Sequence, residues 1–206
     1  MLVNKERKMI LVRIPKTAST SINNALIESD DNWVYIHRYI GGKNSWHKSS
    51  KCLKDFEEFS DYELIAVSRN PWDRLVSLFC FYLKRTSNII AGHTPERLDD
   101  SEKPFAYAWA KKLNVEIITG GFHNFVRHGS SPSLNTNDFW VDESHPGGVK
   151  WFRFEQLCDL EQYLDIKLTM KNKSNHLHYS HYYDDETKEI VRIRYEKDIT
   201  RFGYEF

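Results

Sequence analysis

The chain has 206 residues, with Lys plus Arg and Asp plus Glu both 29. That length favours one domain with one substantial core, and the absence of net charge argues against a bulk nucleic-acid binder. Cys52, Cys80 and Cys158 form neither CxxC nor a zinc pattern, so a reduced compartment is expected, with Cys80 as a packed small hydrophobe.

In chain order, residues 9–14 are short, apolar and β-branched apart from Arg13, which predicts a strand buried on both faces. A tight loop follows, and a helix begins near Ser19. The small residues from Thr17 to Ser21 let loop and first-turn N–H groups approach an anion favoured by the helix dipole, and Lys16 adds a full charge. Taken alone, the segment also reads as an ordinary strand-to-helix turn with a Ser or Thr cap. Residues 33–37 predict a second strand and residues 53–59 a short helix.

Residues 64–67 predict another buried strand, with Arg69 at its carboxyl end and Pro71 in the first turn of the next helix. Leu75, Leu78, Phe79, Tyr82 and Leu83 form one apolar stripe expected to pack that helix on the sheet. Ser77 lies off the stripe, where it and Arg69 can share a tetrahedral anion, the guanidinium supplying a bidentate fork. Ligands of open α/β sheets collect at the carboxyl ends of strands, so both loops should open on one edge. Asp73 and Arg74 read as structural, the acid near a helix start and the arginine paired within the fold.

Further on, residues 86–104 read as a long polar loop and residues 105–118 as a helix ended by Gly120 and Gly121. Residues 130–148 read as a second irregular excursion, residues 149–154 as a strand, 155–164 as a helix and 184–201 as the last helix. The alternation predicts an α/β fold: one domain over residues 1–206, with a central parallel sheet covered by helices on both faces. With the first predicted strand, residues 9–14, so near Met1, no room is expected for a signal peptide or membrane anchor, and a cytoplasmic location is expected.

PKTASTS resembles the 5′-phosphosulfate loop of sulfotransferases, and RNPWDRLVS resembles their 3′-phosphate loop. WFRFEQL, YYDDET, FGYEF and an Asn-Lys-Ser triplet continue the likeness towards the carbohydrate branch, which includes the heparan and chondroitin enzymes and bacterial relatives. One departure is Ala18, where relatives often carry glycine; a left-handed alanine there would cost on the order of 1 kcal/mol. A P-loop kinase would need GxxxxGK and a dinucleotide fold GxGxxG, and neither occurs. Golgi relatives carry a membrane anchor, so the likeness leaves a cytoplasmic bacterial or viral form, or an excised catalytic domain.

The resemblance implies a P-loop-NTPase-like sulfotransferase fold and transfer of a sulfuryl group from 3′-phosphoadenosine 5′-phosphosulfate (PAPS) to an acceptor hydroxyl, with the 3′,5′-bisphosphate (PAP) as product and no metal. On that reading Lys16 faces the leaving oxygen, and Thr17, Ala18, Ser19, Thr20 and Ser21 hold the 5′-phosphate. Arg69 and Ser77 hold the 3′-phosphate, and Lys173 with Ser174 closes over the donor. His47 falls where heparan-branch relatives carry their base, with His37 as second choice. His176, His178 and His181 read as an acceptor-facing or solvated loop rather than a metal site. A carbohydrate or small-molecule acceptor is implied, and two other readings stay open: a nucleotide-dependent phosphotransferase and a catalytically silent nucleotide- or glycan-binding module.

Overall fold

The computed structural model describes residues 1–36, 48–90, 115–169 and 176–206. The chain gathers into two compact units, the first comprising Met1–Asn70, Asn135–Lys173 and Asp198–Glu205, the second Pro71–Leu134, Ser174–Lys197 and Phe206.

The first unit is built on a five-stranded sheet of β1 (Leu2–Asn4), β2 (Met9–Leu11), β3 (Trp33–Tyr35), β4 (Glu63–Ser68) and β5 (Val149–Arg153), in the order β3-β1-β2-β4-β5. The expected all-parallel sheet is corrected to a mixed one. β2, β4 and β5 run parallel, whereas β1 is antiparallel to both β2 and β3. The physical reason is the connection: residues 5–8 are too few for a parallel crossover, so β1 and β2 must form a hairpin. Lys8, at φ 50, is the left-handed residue of that turn.

Side chains alternate across the strands, and both faces are buried. Val3, Ile10, Leu64 and Ala66 join one core with Phe59, Trp140 and Val141. Leu2, Leu11, Ile65 and Val67 join another with Ile22 and Leu26 of α1 (Ser19–Ser29). The uninterrupted apolar reading of residues 64–67 follows from this double burial.

In the second unit α2 (Pro71–Ile90) is amphipathic as read, with Leu75, Leu78, Phe79 and Tyr82 buried. Leu83 is a correction, being 39% exposed. Within this unit Phe79 meets Phe122 at 5.5 Å and Phe125 at 5.6 Å, and Tyr82 meets Phe125 at 6.0 Å. Residues 86–90, expected in a loop, continue α2, while 91–104 lie outside the described residues. Of the helix expected over 105–118, residues 105–114 lie outside the described residues; the rest, α3 (Val115–Thr119), ends before Gly120 as read, and α4 (Gly121–His128) follows at once. Gly121 makes that break at φ 88.

The excursion over residues 130–148 holds a 3-10 turn, Pro132–Leu134, and the short helix α5 (Asn137–Trp140). A 3-10 turn, Phe154–Gln156, leads into α6 (Leu157–Leu164). The single last helix is in fact two, α7 (Asp185–Arg194) and α8 (Glu196–Phe202), separated by Tyr195. Likewise the short helix expected over 53–59 is two 3-10 turns, Ser50–Asp55 and Glu57–Phe59. Among the described residues no helix is long and apolar enough to cross a membrane.

Candidate phosphate-binding site

β2 and β4 pair with Ile10 opposite Leu64 and Leu11 opposite Ile65, and the Val12 N–H reaches the Ile65 carbonyl at 2.8 Å. Adjacent parallel strands end at the same edge, so the chain after β2 and the chain after β4 emerge side by side. The first becomes the turn from Pro15 to Ala18, and the second presents Arg69.

In the turn, Lys16 has φ 68 and Ala18 φ 60, while Thr17 between them is not left-handed. Alternation of this kind turns successive N–H groups towards one side, the arrangement of an anion-binding nest. Ala18 is the N-cap of α1, no side chain caps that helix, and its first turn holds no acid. The small residues expected to hold an anion differ in exposure: Ser19 and Ser21 are buried and Thr20 is exposed. Thr17 is 1% exposed and donates its hydroxyl proton to the Ile14 carbonyl at 3.0 Å, which pins the turn to the end of the strand.

Arg69 is 8% exposed. Its Nη1 donates to the Lys16 carbonyl at 2.9 Å, and its guanidinium lies over the Phe154 ring at 4.0 Å. The structure thus brings Lys16 and Arg69 together through a backbone carbonyl. Next to Arg69, the Asn70 N–H donates to Glu155 Oε1 at 2.8 Å and its side-chain amide to the Glu205 carbonyl at 2.9 Å. Ser68 Oγ accepts from Asn137 at 3.0 Å. The end of β4 is therefore held from three directions.

Ser77 belongs to the second unit, in α2, and is 1% exposed. Arg74 is buried there, donates to the Ser133 carbonyl at 3.0 Å and stacks 5.8 Å from Tyr195, a structural role as read. Trp72 donates its indole N–H to the Lys188 carbonyl at 3.2 Å and accepts at its own carbonyl from Tyr183 at 2.9 Å. His37, His47, Lys173 and Ser174 lie outside the described residues.

Sequence reasoning gave no role to Phe154, Glu155 or Asn70, although all three lie in segments it had singled out. Arg13, the polar exception of its strand, is 2% exposed, and burial holds its pKa below the ordinary value against an opposing effect of Tyr35. Tyr35 in turn accepts from Asn23 at 3.2 Å.

His178 Nδ1 accepts from the Ser180 N–H at 3.4 Å and shares a 2.8 Å hydrogen bond with its hydroxyl, capping the 3-10 turn Tyr179–Tyr182. Among the described residues no group of three or more His, Cys, Asp or Glu is arranged to hold a metal. On the first unit a groove of about 640 Å³ runs beside β5, lined by Lys150, Trp151, Arg153, Tyr163, Arg201 and Phe202 among others.

No curated protein and no solved structure matches the chain. A family model described as the sulfotransferase family matches residues 1–171, a span that contains both loops and β5. With the turn before α1 and Arg69 just past the neighbouring strand inside that match, the chain belongs to the sulfotransferase family.

Proposed function

We propose that the chain transfers a sulfuryl group from PAPS to a hydroxyl of a carbohydrate acceptor by in-line displacement. The observation that carries this reading is the uncapped, nest-like turn before α1 lying beside Arg69, which gathers donors for two anionic groups at one sheet edge. Such a donor set fits a nucleotide with phosphates at both ends of its ribose.

The donor supplies the sulfuryl group and a bisphosphate leaving group. Backbone N–H groups of Thr17 to Ser21, with the α1 dipole, hold the 5′-phosphate. Thr17 acts through its N–H, because its hydroxyl proton is committed to Ile14. Arg69 and Ser77 hold the 3′-phosphate, Arg69 as a charged fork and Ser77 as a single hydroxyl. His47 takes the proton from the acceptor hydroxyl as its oxygen attacks sulfur. The bond between sulfur and the phosphate oxygen breaks, its electron pair stays on that oxygen, and the Lys16 ammonium offsets the charge that develops there. This scheme assigns no step to a metal.

The test is calorimetric titration with adenosine 3′,5′-bisphosphate and adenosine 5′-monophosphate, followed by a screen of labelled PAPS against glycans, phenols and lipid alcohols. The wild type should prefer the bisphosphate, and Ser77→Ala should reduce that preference about tenfold, as expected for one hydrogen bond to a charged group. Equal affinity for the two nucleotides would sink the donor assignment. Preference for ATP with a magnesium requirement would indicate a phosphotransferase, and bisphosphate binding without turnover on any acceptor a silent binding module.

A further inference from the structure

Two backbone positions of the 5′-phosphate turn, Lys16 at φ 68 and Ala18 at φ 60, adopt a region that residues with a side chain seldom occupy. Such a conformation persists only where its surroundings over-determine it. One restraint is local, the Thr17 hydroxyl bond to Ile14. Another comes from 53 residues away, the Arg69 Nη1 bond to the Lys16 carbonyl. Arg69 is itself buried and its guanidinium carbon lies over the Phe154 ring, 4.0 Å from the centroid, and Phe154 packs against the core that contains Leu11, Val67 and Phe152. A planar cation stacked on a fixed ring is held in orientation as well as in place.

We propose that Arg69 is a strut serving both phosphate subsites, shaping the 5′-phosphate turn through the Lys16 carbonyl while it faces the 3′-phosphate, with Phe154 as the residue that positions it. The identity of the ligand rests on the donor reading above; the strut rests on the contacts themselves. A guanidinium has five N–H donors in a fixed fork, so one bond to Lys16 uses a single donor of the five. A lysine has the charge but no such fork.

The experiment measures affinities of adenosine 5′-monophosphate and adenosine 3′,5′-bisphosphate for the wild type, Arg69→Ala, Arg69→Lys and Phe154→Leu, well below each melting midpoint. A residue that only reads the 3′-phosphate leaves monophosphate binding untouched. The strut predicts that monophosphate affinity falls about tenfold in Arg69→Ala, on the scale of a lost charge-assisted hydrogen bond, and stays reduced in Arg69→Lys.

Phe154→Leu conserves apolar packing, so it keeps the fold, yet it should weaken both nucleotides about threefold through loss of the stacking face. Monophosphate affinity within twofold of wild type in both Arg69→Lys and Phe154→Leu would overturn the proposal even if Arg69→Ala failed to fold. A wild type that does not prefer the bisphosphate would overturn the donor reading alone, and the monophosphate series would still decide the strut.

Discussion

Exchanging alanine for glycine at Ala18 and at Ala25 should move stability in opposite directions. The chemical change is the same, so the extra freedom it gives the unfolded chain is common to both and cancels in the comparison. Ala18 sits at φ 60 and ψ 13, and a left-handed residue with a Cβ costs about 1–2 kcal/mol that glycine recovers. Ala25 lies within α1 and is 7% exposed, so its replacement recovers nothing and uncovers a buried methyl worth about 0.8 kcal/mol.

The half-buried Ala18 methyl, packed on the Ile22 and Leu26 cluster, loses about half as much. The gap between the variants is then roughly 2 kcal/mol, with Ala18→Gly slightly above wild type and Ala25→Gly well below it. In urea, with a slope of about 3 kcal/mol/M for a chain of this size, the midpoints should differ by about 0.7 M at constant slope. Equal shifts at the two positions would refute the claim that the turn is strained at Ala18.

His47→Ala should lower turnover about a hundredfold or more while sparing bisphosphate affinity by calorimetry; unchanged turnover would move the base to His37. In Lys16→Ala the chemical step should suffer more than donor affinity, read as a fall in kcat from single-turnover kinetics, and a pure affinity loss would contradict its leaving-group role. The Asp184 carboxyl is held below its ordinary pKa, chiefly by the Thr187 hydroxyl and backbone N–H in the capping box of α7, with smaller effects of His123 and Arg127. Because the folded value is the lower one, this contribution is present above the unfolded pKa of about 4 and is lost as pH falls through the folded value. The urea midpoint of the wild type should therefore decline between about pH 5 and pH 2 more steeply than that of Asp184→Asn. At Gly147 an added Cβ would stand 2.1 Å from the Tyr62 carbonyl oxygen, so Gly147→Ala should cost about 1–3 kcal/mol by denaturation.

Strands and helices with strong local signals were legible in the sequence. Pro71 at the first position of α2 and the continuous apolar run of β4 are both decided by neighbours in the chain. The hairpin partner β1 was not, because three residues are too few to show a period. Helix α4 was hidden by two glycines that look like a stop, although Phe122, Phe125 and Val126 carry helical spacing. Within the site, the types that bind phosphate were legible because charge and small size are local properties. The left-handed Ala18 could be raised there only as a possibility, and the bond from Arg69 to Lys16 was not legible, since it depends on segments 53 residues apart being adjacent in the sheet.

That adjacency also separates two kinds of change the protein can undergo. Neighbouring strands lie about 4.8 Å apart whatever joins them, so the offset between the two loops is a property of the backbone ladder of β2 and β4. Residues 30–62, which connect α1 to β4 through β3 and the 3-10 turns, can lengthen, shorten or change chemistry without altering that offset. The spacing of the two loops is thus insulated from changes in the chain between them.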